Sequence, residues 1–146
     1  TDGGTDPEAP VPEKSTLGAR IRAHQNWLWG DPAGRRLNLT DESLQHVKFG
    51  SEDLSDAVFD RADLSGAIFD RTDLSRASFQ EAELRFAKFH DVTFKNNDFR
   101  DADLRDAEFE DSPLINADLD GAKTMRAIGL VKKFKRNPKK RNRGRR

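Results

Sequence analysis

The chain has 146 residues, no cysteine, and 26 basic and 26 acidic side chains, so its formal net charge at pH 7 is zero. The absence of cysteine excludes disulfide bonds, thiol catalysis and zinc–thiolate sites, and the length suggests one domain. No apolar run approaches the roughly 20 residues that a membrane-spanning helix needs, and the N-terminal segment is too polar for a secretory signal. We therefore expect a protein that is neither secreted nor membrane-bound, located in the cytoplasm or within a large assembly such as a virion.

The zero net charge hides a division of the chain into three parts. Residues 38–124 carry 21 acidic and 10 basic side chains, a balance of −11. Residues 125–146 carry no acid and 11 basic side chains, whereas the first 37 residues have five of each. The distribution predicts a neutral leader, an acidic central part and a strongly basic tail.

The leader divides into an arm and a helix. Residues 1–14 contain two glycines and three prolines, a composition that predicts a flexible arm. Residues 15–36 predict a capping helix and a linker, because Ser15 or Thr16 can cap a helix whose apolar residues recur at helical spacing up to Gly30-Asp31-Pro32. Such a helix could dock a partner, but we expect it to cover the open end of the repeats that follow.

The central part has an unbroken period of five. Every fifth residue is leucine or phenylalanine at seventeen consecutive positions: Leu39, Leu44, Phe49, Leu54, Phe59, Leu64, Phe69, Leu74, Phe79, Leu84, Phe89, Phe94, Phe99, Leu104, Phe109, Leu114 and Leu119. A step of five rotates by about 140° around an α-helix, and an odd step in a straight strand alternates between faces. The period therefore predicts a chain that turns a corner in each repeat, so that the coils of a β-solenoid share one core.

Leucine and phenylalanine also alternate, which constrains the number of repeats per coil. Coils of three repeats would stack leucine on phenylalanine, whereas coils of two or four repeats make the stacked columns nearly uniform. With four repeats the columns are Leu39, Phe59, Phe79, Phe99 and Leu119; Leu44, Leu64, Leu84 and Leu104; Phe49, Phe69, Phe89 and Phe109; and Leu54, Leu74, Phe94 and Leu114. Periodicity alone leaves both a flattened two-sided coil and a four-sided coil open.

The residues before each anchor carry a family resemblance. The residue two positions earlier is usually alanine, and the residue just before the anchor is often acidic, as in Ala62-Asp63-Leu64-Ser65-Gly66 and Ala102-Asp103-Leu104-Arg105-Asp106. These units resemble the A-(D/N)-L-x-x repeat of the pentapeptide-repeat family, and the leader resembles the H-x-x-W-L … G-x-R-x-N-L segment that precedes many such solenoids. The resemblance implies an all-β fold: a right-handed four-sided β-helix of about four coils over residues 37–124. Residues 125–146 would form a short apolar cap segment and the basic tail.

No pattern in the sequence indicates catalysis. The three histidines lie far apart without metal-ligand spacing, and no glycine-rich phosphate loop, nucleophile elbow or Ser–His–Asp arrangement is present. We expect no catalytic, cofactor-binding or metal-binding residues and interpret the chain as a non-enzyme.

The acidic residues suggest two alternatives. In a four-sided coil Asp63, Glu83 and Asp103 stack on one wall, where they could form a strip that faces a partner. Neutralisation by the neighbouring Arg85 and Arg105 is the interpretation we favour. Some members of the resembled family mimic duplex DNA and inhibit DNA gyrase, so a topoisomerase inhibitor is the alternative function. Basic residues along the walls and the basic tail depart from that pattern.

Two apolar residues, Phe86 and Ile115, occupy outward positions whose neighbours are charged or small. An aromatic side chain on a rigid wall is typical of a contact with another protein. The five-residue pattern also places Ser75 outward, where its replacement should be silent. We therefore predict Phe86 and Ile115 as partner contacts.

The C-terminal tail is dense in positive charge and too polar to build a core. Such a segment binds polyanions by releasing counterions or docks on an acidic protein surface. Its predicted contact residues are Lys132, Lys133, Lys135, Arg136, Lys139, Lys140, Arg141, Arg143, Arg145 and Arg146. The whole pattern predicts a non-catalytic interaction module that docks by its walls and arms within a larger assembly, such as a virion or a nucleoprotein particle.

Overall fold

The structure is a computed structural model that describes residues 16–133. The chain begins with one helix, α1 (Leu17–Leu28), and continues as short strands joined by tight turns. The strands are β1 (Lys48–Phe49), β2 (Ile68–Asp70), β3 (Lys88–His90), β4 (Phe94–Lys95), β5 (Glu108–Glu110), β6 (Leu114–Ile115) and β7 (Lys132–Lys133). The predicted flexible arm, residues 1–14, lies outside the described residues.

All strand pairing is parallel, and every pair except β6 with β7 follows one register. In the larger sheet the order is β1-β2-β3-β5, and in the smaller sheet it is β4-β6-β7. Phe49 pairs with Phe69, Phe69 with Phe89 and Phe89 with Phe109, so each pairing advances by twenty residues. Isolated bridges between the strands keep the same step, as from Ser78 to Asp98. The chain is therefore a parallel β-solenoid in which four five-residue repeats make one coil.

The anchors form the core. Sixteen of the seventeen anchors are buried, and the other, Leu119, is half-buried. The alanines two positions before the anchors line the bore beside them. Phenylalanine rings stack along two columns, with centroids 4.8 Å apart between Phe59 and Phe79 and 4.6 Å apart between Phe49 and Phe69. The two columns meet edge to face across the bore, as Phe59 does with Phe69. Phenylalanine columns therefore fill the bore without alternating with leucine.

Asn97 occupies an inward position that alanine fills in neighbouring coils, and it is buried. Its Nδ2 donates to the carbonyl oxygens of Leu74 (2.6 Å) and Ala77 (3.0 Å), and its Oδ1 accepts from the backbone N–H of Lys95 (2.8 Å). A buried amide costs free energy unless its donors and acceptors are paired, and here they are.

Each repeat ends in a turn whose third residue has a positive φ. Leu54 to Ala57 is one example, with a hydrogen bond from the Ala57 N–H to the Leu54 carbonyl and a φ of 64° at Asp56. This left-handed conformation turns the chain by one corner. It recurs every five residues from Asp41 to Arg126 with a single gap at residue 51, and mostly at polar residues or glycine, for which its cost is smallest.

The helix α1 lies on the first coil. Thr16 Oγ1 accepts from the Ala19 N–H at its start, and Leu17 and Ile21 pack against the core. Side chains of the helix bond to backbone carbonyls of the first coil that have no earlier coil to pair with: Arg20 to Asn38 (2.8 Å) and Gln25 to Asp53 (2.7 Å). Coils after the first receive such bonds from the preceding coil.

The other end of the solenoid extends beyond residue 124, where the repeats were predicted to stop. Ile128 bridges to Glu108, and β7 pairs with β6, with Lys132 opposite Leu114. The step in this last pairing is eighteen residues instead of twenty. Backbone pairing can continue here because it does not require the leucine or phenylalanine anchor, which Gly129 replaces.

Candidate interaction surfaces

Phe86 is the exceptional corner residue. All other non-glycine residues with positive φ in the described part of the chain are charged, amide or histidine residues, whereas Phe86 is aromatic (φ 61°) and 57% exposed. A left-handed conformation costs roughly 1–2 kcal/mol for a residue with a Cβ. Neither backbone preference nor burial therefore explains an aromatic side chain at this corner.

The side chains near Phe86 are charged and are held in place by ion pairs. The Arg85 guanidinium lies 5.3 Å from the centroid of the Phe86 ring, and Arg85 Nη2 lies 3.3 Å from Asp106 Oδ2. Asp106 also pairs with Arg126, at 2.7 Å. On the other side, the corner one coil earlier is Gly66, so no side chain from that corner screens the Phe86 ring. The result is one exposed ring beside Arg85, whose guanidinium is held by the carboxylate of Asp106.

The predicted acidic strip exists as a column. Asp63 bridges to Glu83 and Glu83 to Asp103 along one wall, and the next residue in the column is Lys123. Glu83 is exposed, while Asp63 and Asp103 are half-buried. The carboxylates are therefore one coil apart, about 4.8 Å at the usual strand spacing.

Hydrogen bonds stabilise two of these carboxylates in the charged form. A hydrogen bond from Arg105, whose Nη2 lies 2.6 Å from Asp103 Oδ2, lowers the pKa of Asp103. Burial tends to raise the pKa of Asp63, but hydrogen bonds from Gln45 and Ser65 outweigh it, so that pKa is lowered. Arg105 thus pairs with one of the three carboxylates of the column, Asp103, whereas Arg85 pairs with Asp106 outside it.

Further ion pairs join corners of successive coils. Arg61 lies 2.9 Å from Asp41 and Arg76 lies 2.9 Å from Asp56, each pair twenty residues apart. Both pairs are largely exposed, so each contributes little to stability. They break the acidic walls into shorter patches of negative charge.

Ile115 differs from Phe86. It points outward on β6, but it is half-buried, because β6 lies between β4 and β7 with Lys95 and Lys133 as its register partners. The prediction of an exposed side chain is therefore wrong for Ile115. Ser75 is also buried, with 7% of its surface exposed, so the prediction that it faces solvent is wrong as well. In both cases the neighbouring coils cover an outward position.

The basic tail is described only at its start. Lys132 and Lys133 form β7, and their backbone pairs with Leu114 and Ile115. The other predicted tail contacts lie outside the described residues: Lys135, Arg136, Lys139, Lys140, Arg141, Arg143, Arg145 and Arg146.

The sequence did not predict that His24 joins α1 to the first coil by two buried hydrogen bonds. It is fully buried on α1, where Nδ1 accepts from the Leu37 N–H (2.9 Å) and Nε2 donates to the Ser55 carbonyl (2.8 Å). The Leu37 N–H can only donate, so the neutral ring carries its proton on Nε2. Burial lowers the pKa of His24 because it removes water from the charged form. The histidine in the leader motif was the signal for this role.

Residues 16–133 offer little for catalysis. A shallow depression on one wall is lined by Asp70, His90 and Glu110 around Phe89, and His90 Nδ1 lies 3.2 Å from Glu110 Oε1. These side chains are solvent-accessible, and no group of three metal-ligating side chains occurs in this part of the chain. Nor does it contain a helix with the length and apolar character needed to cross a membrane.

A parallel β-solenoid with a helix on its first coil and polar corner turns defines the class of protein. A family model described as the pentapeptide repeat region matches residues 42–119, more than half of the chain. The chain belongs to the pentapeptide-repeat family, whose members form a right-handed quadrilateral β-helix. The resemblance stated from the sequence is thus confirmed.

Several solved structures are similar to this chain. A pentapeptide repeat protein from Nostoc Pcc 7120 is 26% identical, with a TM-score of 0.58 over 78% of this chain and 99% of its own. QnrB1, a plasmid-mediated fluoroquinolone resistance protein, is 24% identical with a TM-score of 0.49. That match covers 60% of this chain, and this chain spans 46% of QnrB1. A protein of the Arabidopsis thaliana thylakoid lumen is 20% identical, with a TM-score of 0.38 over 64% of this chain and 61% of its own. No curated protein matches the chain.

Proposed function

We propose that this chain is a non-catalytic interaction module. Its rigid solenoid of about four coils docks by its walls, and its terminal arms tether it within a larger assembly, in the cytoplasm or in a virion. A virion surface or accessory protein and a component of a nucleoprotein particle are the two concrete forms of this proposal. It assigns no cofactor and no metal.

The exposed ring of Phe86 carries the proposal. It is an aromatic side chain at a corner that disfavours it, 57% exposed, on a wall whose backbone is held by bonds to the coils on both sides. Aromatic residues on rigid surfaces are typical centres of protein interfaces. Arg85 beside the ring, with its partner Asp106, would supply part of the polar rim that such interfaces have.

The partner surface that fits Phe86 is an apolar pocket with a carboxylate at its edge, where Arg85 can pair. The column of Asp63, Glu83 and Asp103 would face a basic part of the same partner or of a second one. The basic tail would bind an anionic component, either a nucleic acid or an acidic protein. Ile115, which is half-buried, is the weaker contact candidate.

Two substitutions at residue 86 test the proposal without confusing binding with folding. Phe86→Gly removes the ring and also relieves the left-handed backbone, so the free energy of unfolding should rise by up to about 1 kcal/mol. Phe86→Lys should leave the melting temperature within a few degrees of the original value. Both should weaken docking if the ring is the contact.

Docking is measured by replacing Phe86 with a photoreactive phenylalanine analogue and irradiating the protein in its native source. We expect one adduct of discrete mass that forms at residue 86 and not at the exposed corner Glu81. Formation of the same adducts from both corners would show nonspecific collision. No adduct at residue 86 under conditions where the particle is intact would contradict the proposal.

The second candidate is a DNA-mimic inhibitor of DNA gyrase or another topoisomerase. The register favours it, because it stacks carboxylates one coil apart along a rod, as at Asp63, Glu83 and Asp103. The exposed ion pairs, such as Arg61 with Asp41, argue against this candidate because they interrupt the negative charge of the rod. Inhibition of gyrase supercoiling at micromolar concentration, retained after deletion of residues 134–146, would support this candidate and contradict the first. We expect no inhibition.

A further inference from the structure

Trp29 is the most exposed tryptophan surface of the chain. It follows directly after α1 and is 83% exposed, whereas Trp27 is 38% exposed. Trp27 stacks on His24, with ring centroids 5.4 Å apart, and Arg36 lies 5.8 Å from its ring centroid. Among the described residues, Trp29 takes part in no comparable ring contact. Tryptophan is enriched at contacts in which one face of the indole packs and its edge stays wet, and the Trp29 ring is free for such a contact with another segment.

Trp29 belongs to the outer side of α1, which faces away from the solenoid. Gly18 and Arg22 are the other exposed positions along this side, four and seven residues apart as helical geometry requires. A Cβ at Gly18 would meet only Arg22 Nη1, at 3.7 Å, so alanine would fit there. Glycine in an exposed helix costs about 1 kcal/mol relative to alanine, and its advantage is the flat surface that it leaves for another chain segment.

The charges near this surface indicate what covers it. Residues 16–37 contain four arginines and one acid, Asp31, whereas residues 1–15 contain four acids and one lysine. Arg20 is already paired with Glu42, at 2.8 Å, but Arg22 is exposed on the outer side of α1. The segment that immediately precedes the helix is therefore complementary in charge to the helix surface.

The same segment has the composition and length to reach Trp29. Pro7, Pro10 and Pro12 favour a polyproline II conformation, which packs well against tryptophan rings. The helix is about 18 Å long at 1.5 Å per residue, and about six residues in polyproline II conformation span this distance. A chain that reverses before Thr16 would bring Glu13 past Arg22 and a proline to Trp29.

We propose that residues 6–13 of this chain dock on the outer side of α1, with a proline against Trp29 and acidic side chains near Arg22. This contact lies on the capping helix and goes beyond the proposed function, which uses the walls. It also defines the kind of external ligand that would compete for the surface: an acidic, proline-containing peptide.

Fluorescence of the full chain tests the proposal directly. The chain contains two tryptophans and no tyrosine, so its emission comes from Trp27 and Trp29 only. The triple substitution Pro7→Gly, Pro10→Gly and Pro12→Gly should shift the emission to longer wavelength. It should also raise the acrylamide quenching constant by about two-fold, since docking would cover roughly half of the Trp29 ring. The urea midpoint of unfolding should not change, because the solenoid core is untouched.

A Trp29→Phe background supplies the matched control. There the same proline substitutions should leave the emission of Trp27 unchanged. Equal emission and quenching in the original chain and its triple variant would overturn the proposal. Loss of the protected signal on hundred-fold dilution would also overturn it, because a second copy would then be the occupant.

Discussion

Replacement of His24 by alanine is the sharpest test of how the helix holds the first coil. The imidazole accepts one buried hydrogen bond from the Leu37 N–H and donates another to the Ser55 carbonyl. Alanine removes both partners and leaves a backbone donor and a backbone acceptor without a bond. It also removes the ring on which Trp27 stacks.

The loss should be large for a single residue. Each buried group left unpaired costs about 1–3 kcal/mol, so the two together cost about 2–6 kcal/mol before any loss of packing. Small domains are stable by only about 5–15 kcal/mol in total. We therefore expect His24→Ala to lower the melting temperature by well over ten degrees or to detach α1 before the solenoid unfolds.

The same residue should make stability depend on pH in a defined direction. The pKa of His24 is lowered from its ordinary 6.5, mainly because the ring is buried. Below pH 6.5 the unfolded chain binds a proton at this residue that the folded chain does not bind. The stabilisation is therefore complete above pH 6.5 and is lost as the pH falls towards the folded pKa, at up to about 1.4 kcal/mol per pH unit.

Urea unfolding between pH 8 and pH 5, followed by circular dichroism, measures this slope. Over that range the carboxylates remain largely ionised, so histidines dominate the change. His24→Ala should remove most of this slope. An unchanged slope in His24→Ala would refute the conclusion that burial lowers the pKa of His24.

Three further outcomes follow from the core and the tail. Phe79→Asp should abolish cooperative unfolding, because it places a charge between two stacked rings, while Glu81→Asn at an exposed left-handed corner should be nearly silent in the same urea titration. Asn97→Ala should cost about 1–3 kcal/mol by calorimetry, although alanine is common at this position, because the Lys95 N–H loses its acceptor, while the Leu74 and Ala77 carbonyls keep only their backbone donors. Deletion of residues 134–146 should leave the melting temperature unchanged and remove any affinity for RNA or DNA that declines steeply with salt; no affinity of the intact chain at low salt would restrict the tail to protein partners.

The repeat was readable from the sequence because it is local. Each five-residue unit indicates which side chain points inward, and seventeen copies agree, so the anchors and the alanines beside them follow without knowledge of distant residues. The number of repeats per coil did not follow from the period and was implied only by the family resemblance. The stacked column of Asp63, Glu83 and Asp103 follows from the same register. The five-residue pattern also predicts the outward position of Phe86, but it does not predict the left-handed backbone there.

The ends of the solenoid and the cover over outward residues depend on contacts that the period does not encode. Ile115 and Ser75 obey the outward pattern, yet Ile115 is half-buried and Ser75 is buried. The ladder also continues to Lys133 without an anchor at Gly129. In the sequence, His24 is a polar residue of an amphipathic helix. Only the fold shows that it is buried and hydrogen-bonded to the backbone of Leu37 and Ser55. The sequence by itself thus determined the coil, the core and the family, because these repeat. Only the tertiary structure decided which outward groups remain exposed and which polar groups close the first coil, because burial and hydrogen bonding there involve residues far apart in the chain.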